Sequence, residues 1–322
     1  AGLADAQDHT VEVIGRTAAG RWQAEADAAS WTWHVDTTYT ALRINEVLAD
    51  NESAVEVGVG LYPDLVELYY DAPTGAPALD LEGYGLTDEA DTPGKFTFAP
   101  GATVAPGEHL ILYADDNPGG EPGIWLGFGL RATGDDLVLT APGGATVDAV
   151  DFAEQAENFS IGRVGADGAW ALTQPTFGAE NVAQRTGDPS ALLINEWLAN
   201  GTVLFVDDFI ELYNPDTLPV ALTGLYLTDN AVSQKGKDAF APLAFVEGGG
   251  YLAVLADDRS DAGHVEFRLT ADRGMVGLFG PDLAPIDLIA YYPQTTDVSQ
   301  GRQPDAGDEW AFYTLPTPGV AN

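Results

Sequence analysis

Two pairs of glutamates are the residues whose placement most invites chemistry. Glu46 and Glu67 each lie inside an apolar, strand-like run, and Glu196 and Glu211 repeat the arrangement later in the chain. Two carboxylates brought face to face can work as general acid and general base. The same residues also have a structural use. A carboxylate among apolar neighbours must find a partner, and each half of the chain supplies one arginine at a matching place, Arg163 and Arg302. Counted by strict alternation, Glu46 shares a face with Ile44 and Leu48, the expected core face, while Glu67 falls between Val66 and Leu68. The expected role of Glu46, Glu67, Glu196 and Glu211 is therefore ion pairing with Arg163 and Arg302, not catalysis.

Paired aspartates come next. Asp115-Asp116-Asn117 and Asp257-Asp258 each follow a strand-like run. Hard oxygen ligands set close together suit calcium, the one cofactor the sequence leaves open. Aspartate is equally a turn residue, because its side chain bonds its own backbone. Asp135-Asp136 has no counterpart, since Gly274-Met275 stand there. His9, His34, His109 and His264 show no metal-ligand spacing. No nucleophile elbow, phosphate loop or zinc motif occurs, which fits a chain that is not an enzyme. Trp170 and Trp310 precede the last turn of each half, where a tryptophan can stack on a sugar or, as expected here, plug a core. Trp125 and Trp197 are not shared and are expected to be more exposed.

The elements that carry these residues occur twice in the same order. Leu42-Arg43-Ile44-Asn45-Glu46 returns as Leu192-Leu193-Ile194-Asn195-Glu196, and Asp64-Leu65-Val66-Glu67-Leu68-Tyr69 as Asp208-Phe209-Ile210-Glu211-Leu212-Tyr213. Gly83 to Asp88 returns as Gly224 to Asp229, Gly162-Arg163 as Gly301-Arg302, and Pro175-Thr176-Phe177-Gly178 as Pro316-Thr317-Pro318-Gly319. A period of this size is a whole domain, too long for a solenoid unit. Repeat one is placed at 40–182 and repeat two at 191–322, joined by a short polar connector over 183–190. Within each, apolar residues alternate or form short blocks such as Leu137-Val138-Leu139, separated by Pro-Gly turns. That pattern predicts an all-β fold, two tandem two-sheet sandwiches with little helix. Residues 1–39 belong to neither repeat and read as a β-hairpin carrying Trp22, Trp31 and Trp33.

Composition narrows the function classes. The 322-residue chain carries a net charge of −37, with Lys only at positions 95, 235 and 237. Such a surface repels phosphate backbones, so no nucleic-acid partner is expected. No apolar run reaches the roughly 18 residues a membrane helix needs, so no membrane insertion by helix is expected. Zero cysteines exclude disulfides and thiolate chemistry. The sequence opens without Met or a charged-then-apolar leader, and so reads as a mature form or a piece of a larger polypeptide.

The ordered motifs resemble the lamin-tail domain. Repeat two carries them almost whole: Ile194-Asn195-Glu196, Ile210-Glu211-Leu212-Tyr213-Asn214, Leu222-Thr223-Gly224, Asp229, Gly301-Arg302, Trp310 and Pro316-Thr317-Pro318-Gly319. Repeat one departs mildly at Tyr70 and Phe177. The resemblance implies immunoglobulin-like β-sandwiches and a non-catalytic role: a binding or spacer module of a bacterial extracellular or cell-surface protein. Its partners would be another protein, a polysaccharide or the rest of the parent chain. A carbohydrate-binding accessory module of a secreted hydrolase is the alternative. The first segment is similar to the end of an immunoglobulin-like or fibronectin-type module, which implies that a domain precedes it.

Overall fold

The structure is a computed structural model that describes residues 7–35, 40–116 and 120–322. Two compact units are present, Ala1–Ala41 and Leu42–Asn322. In the first, strands Gln7–Val13 and Ala29–Val35 form an antiparallel ladder with Val11 opposite Trp31. Residues 1–6 and 36–39, which the hairpin reading also covers, lie outside the described residues.

Among its described residues the second unit is all-β apart from one 3-10 turn, Pro189–Ala191. Each repeat has a six-stranded and a four-stranded sheet. In repeat one the large sheet runs Val182–Ala183, Ala169–Gln174, Ser160–Val164, Leu42–Leu48, Asp64–Tyr70, His109–Ala114. Repeat two keeps the four inner strands, Trp310–Tyr313, Ser299–Arg302, Leu193–Leu198 and Asp208–Tyr213, then Tyr251–Ala256. Its outer strand differs, because His264–Val265 pairs parallel to Tyr251–Ala256. Among the described residues of repeat one, an isolated bridge, Tyr113 to Trp125, stands at that place.

Each repeat closes its own core. Leu42, Ile44, Val47, Val66, Leu68, Leu86, Leu112 and Leu139 fill the first; Ile194, Trp197, Ile210, Leu212, Leu227, Val254 and Leu278 fill the second. The cores exchange one residue each. Phe245 of repeat two lies in the core of repeat one, and Ala153 of repeat one lies in that of repeat two. Main-chain and side-chain bonds seal this junction: Phe245 N–H donates to Glu154 O at 2.8 Å and Gln155 Nε2 to Leu243 O at 2.8 Å. Gly134, at φ +128°, sits so close that an added Cβ would be 2.9 Å from Ala262 Cβ.

A bulge resets the alternation expected for the first strand of each repeat. The ladder register shifts between Ile44 and Glu46, and between Ile194 and Glu196, leaving Asn45 and Asn195 as the extra residues. Downstream parity is inverted. Ile44, Val47 and Ala49 face the core, whereas Glu46 and Leu48 turn to the opposite face. The expectation that Glu46 shares the core face of Ile44 is corrected by this one inserted residue. The same shift turns Trp197 inward, where it is 1% exposed and not the exposed residue expected from its being unshared.

Candidate functional site

On the outer face of each large sheet, the repeated glutamates meet across neighbouring strands. Glu46 is registered opposite Glu67 and Glu196 opposite Glu211, and all four are 0% exposed. The lid over each pair is the Pro-Thr-x-Gly turn that ends the repeat. Glu46 Oε1 accepts from Thr176 N at 2.9 Å and Ser160 Oγ at 2.6 Å. Glu67 accepts from Asn45 Nδ2 at 2.8 Å and Gly178 N at 2.5 Å. In repeat two Glu196 accepts from Thr317 N at 3.2 Å, Thr317 Oγ1 at 3.0 Å and Ser299 Oγ. Glu211 accepts from Asn195 Nδ2 at 3.0 Å and Gly319 N at 2.7 Å. Gly178 and Gly319 both sit at φ +86°, the left-handed conformation that suits glycine and aims these N–H groups inward. Asn181 and Asn322 complete the closure, donating to the carbonyls of Asn45 and Arg163, and of Asn195 and Arg302.

Burial dominates the electrostatics. It pushes Glu46 up from 4.5 to about 7, with the facing Glu67 adding to the rise and Ser160 and Thr176 opposing it. Glu211 is likewise pushed up to about 7 by burial, with Glu196 and Asp305 adding. Glu196 is raised too, again by burial first. Each pair therefore holds a proton more tightly than isolated carboxylates do. The repeats differ behind the pair. His109 Nδ1 lies 2.7 Å from Glu67 Oε1. The matching Tyr251 instead donates to Asp305 Oδ2 at 2.7 Å, and Asp305 Oδ1 accepts from Asn195 Nδ2 at 3.0 Å.

The arginines do not pair with these glutamates, which corrects the expected ion pairs. Arg163 binds Asp148 through Nη2 at 2.9 and 3.0 Å, and Arg302 binds Asp287 at 2.9 Å. The bulge is the reason. Ile44 and Ile194 keep Leu68 and Leu212 opposite them, but the ladder on their other side stops at Glu46 and Glu196, and there the Arg–Asp pair bonds both backbone groups. Asp148 accepts from Ile44 N at 2.9 Å while Arg163 Nε donates to Ile44 O at 2.9 Å. Asp287 and Arg302 treat Ile194 in the same way, at 2.9 and 3.0 Å. The guanidinium then lies over the repeated tryptophan, Arg163 4.7 Å from the Trp170 centroid and Arg302 4.6 Å from Trp310. Trp310 is 39% exposed, so it covers the arginine and is not a core plug, whereas Trp170 is half-buried and packs against the core of repeat one as expected.

The aspartate turns are arranged differently from each other. Asp257 is buried with Oδ2 on Arg259 Nε at 2.5 Å and Oδ1 on His264 Nδ1 at 3.0 Å. Its oxygens are spent on Arg259 and His264 and do not fit a calcium ligand, and Asp258 is an exposed residue at φ +69°. Asp115 accepts from the N–H of Asp116 at 2.6 Å in a turn whose next residue, Asn117, lies outside the described residues. Among the described residues, no group of three or more His, Asp or Glu side chains could hold a metal ion.

A cleft of about 230 Å³ lies between the repeats, lined by Asp151, Glu154, Asp238, Asp261 and His264 among others. Burial raises Glu154, whose Oε1 accepts from Gly263 N at 3.0 Å across the junction. This junction had no signal in either repeat taken alone, since Glu154 aligns with Pro293.

Glu46, Glu67 and the bulge at Asn45 lie in one segment, and Glu196, Glu211 and Asn195 repeat them. Residues 36–154 match the lamin tail domain family. That family is an immunoglobulin-like fold and is not enzymatic, consistent with carboxylates that are sealed under a turn. No curated protein and no solved structure matches the chain. No helix among the described residues is long and apolar enough to cross a membrane.

Proposed function

We propose that the chain is a non-catalytic binding and spacing module in which two lamin-tail-like sandwiches form one stiff element between other parts of a larger protein. The observation that carries this reading is the junction. A phenylalanine and an alanine exchanged between cores, with hydrogen bonds from Phe245 and Gln155, leave little freedom for hinge motion. The buried glutamate pairs support it, because every one of the four acids is committed to the fold and inaccessible to substrate. A bacterial extracellular or cell-surface setting accords with the excess of acid. The same charge disfavours nucleic acid and leaves protein or polysaccharide as partner classes.

The absence of native cysteine allows a direct test of stiffness. Spin labels at D91C in repeat one and V232C in repeat two, both exposed, should give one narrow distance distribution. A broad distribution would overturn the spacer reading. Exposed aromatics such as Tyr292, 78% exposed, and Phe312, 60% exposed, favour carbohydrate binding as the second reading. It predicts tryptophan quenching on titration with soluble polysaccharides, which the spacer reading does not.

A further inference from the structure

One carboxylate of repeat two has no counterpart in repeat one, and the place it fills is a cavity there. Arg163 and Arg302 each donate through Nη1 to the glycine carbonyl five residues on, Gly168 O at 3.2 Å and Gly307 O at 2.7 Å. Counted from those arginines, Ala166 stands where repeat two has Asp305. Asp305 is held as a ligand would be. Its Oδ1 accepts from Asn195 Nδ2 at 3.0 Å and from Asn322 N at 3.2 Å, and its Oδ2 from the Tyr251 hydroxyl at 2.7 Å.

Repeat one keeps the receiving groups without the carboxylate. Asn45 matches Asn195 as the bulge residue, and Asn181 matches Asn322 in closing the repeat. His109 stands opposite Tyr69 as Tyr251 stands opposite Tyr213. Asn45 is 5% exposed. Among the described residues its Nδ2 donates to Glu67 alone, whereas Asn195 Nδ2 serves both Glu211 and Asp305. Asn181 N likewise has no acceptor among the described residues. Buried donors of this kind call for an acceptor. The cavity that Asn45, His109 and Asn181 line measures about 270 Å³.

The charges around it suit an anion better than those of repeat two. Arg43 lines the cavity where repeat two has Leu193. Its Nε is buried and bonds to no described residue, while its Nη1 holds exposed Asp71 at 3.1 Å. Arg163 is also on the lining, with its charge met by Asp148. Against these stand Asp71 and Glu180, both exposed, and buried Glu67 bonded to His109. Repeat two shows that such acids do not bar a further carboxylate. Asp305 sits near enough to Glu196 and Glu211 to help raise both, and does so without an arginine at Leu193 or a histidine at Tyr251.

We propose that this cavity of repeat one binds a small organic carboxylate, held by Asn45 Nδ2, Asn181 N and Arg43 in the place that Asp305 takes in repeat two. Hydrogen bonds from a cation to a carboxylate are among the stronger ones, and Arg43 adds one that repeat two does without. The cavity lies just below the usual range of small-molecule pockets, about 300–1,000 Å³, so the ligand is a simple mono- or dicarboxylate. The site goes beyond the spacer reading. Label distances decide the one and ligand titration the other, so either can fail alone.

NMR titration of the isotope-labelled full chain with acetate and with succinate, at a constant ionic strength of about 0.15 M kept with NaCl, tests the assignment. The Asn45 side-chain and Asn181 main-chain amide signals should shift to saturation, with a Kd for acetate on the order of 1–10 mM. Those of Asn195 and Asn322 should stay in place, because Asp305 already holds them. Phosphate, tetrahedral where a carboxylate is planar, should move none of the four. Two variants at accessible positions check the geometry. Ala166→Asp supplies the carboxylate from within the chain, and Arg43→Leu installs the residue of repeat two. Each should weaken acetate at least about tenfold, a difference of about 1.4 kcal/mol. The proposal is overturned if neither Asn45 nor Asn181 shows a saturable shift by about 100 mM acetate, far above the expected Kd. It is equally overturned if phosphate acts as acetate does, if Asn195 and Asn322 respond alongside, or if both variants bind acetate like the parent.

Discussion

Stability should rise as the solution is made more acidic, from about pH 8 to about pH 5, opposite to the usual behaviour of a protein whose carboxylates are stabilised by partners. Glu46 and Glu211 are both held up from 4.5 to about 7. Between those values the folded chain keeps protons that the unfolded chain releases. A group raised in this way contributes stability that is complete below its unfolded value and is lost as pH climbs through its folded value. At about 1.4 kcal/mol per pH unit, each glutamate costs the fold about 3 kcal/mol by the time both states are ionised. Asp50 and Asp64, each raised to about 6 by burial, add in the same direction. Urea titrations at constant ionic strength and pH 5, 6, 7 and 8 would follow the effect.

Relief of net charge also stabilises on acidification, so a control must separate the two causes. Glutamine mimics a protonated glutamate, and E46Q/E211Q should flatten the slope between pH 5 and 8 while leaving the double variant as stable as the parent, or more so, at pH 8. If the double variant kept the full slope of the parent, the buried glutamates would not be its source and the assignment of a retained proton to each pair would be refuted.

Three further outcomes follow from the geometry. Arg302→Ala strands half-buried Asp287 and the Ile194 carbonyl and should cost about 3–5 kcal/mol in urea unfolding, with Arg302→Lys recovering only part because it cannot reach Asp287, Ile194 O and Gly307 O together. Phe245→Ala empties a core position that belongs to the other repeat; it should cost about 3–5 kcal/mol and split one unfolding transition into two, seen by calorimetry. Fifty acidic against thirteen basic side chains should make the melting temperature rise with NaCl between about 0.01 and 0.5 M, as the Debye length falls from about 30 Å to a few Å; a melt independent of salt contradicts this.

The all-β class was legible because the apolar residues alternate or come in short blocks between Pro-Gly turns, and because the blocks occur twice in order. The face of Glu46 was not. Alternation carries a residue to the correct side only if no bulge intervenes, and Asn45 and Asn195 look like any strand residue until their ladder is seen. The arginine partners were within reach. Val147-Asp148-Ala149-Val150 and Ile286-Asp287-Leu288-Ile289 hold an aspartate at matching places, a signal as good as the one that singled out the glutamates. What no side-chain pattern could show is the identity of the donors over Glu46 and Glu67, since they are backbone N–H groups of a turn more than a hundred residues away.

The two copies together say which part of the cluster matters to the fold. Asn45 and Asn195 donate alike to Glu67 and Glu211, but behind Glu67 stands His109 and behind Glu211 stand Tyr251 and Asp305, a different set of charges and donors. In front, both pairs meet the same things: the N–H of a threonine, the N–H of a glycine at φ +86°, and a serine hydroxyl from the neighbouring strand. A catalytic pair would need its rear partners held fixed, because those set which carboxylate is acid and which is base. Here the rear varies and the front does not. The oxygens are kept for the turn, whose N–H groups would otherwise be buried without acceptors. Apolar replacements would leave those donors stranded. The acids, at the cost of one reluctant proton per pair, tie the last residues of each repeat to its first strand.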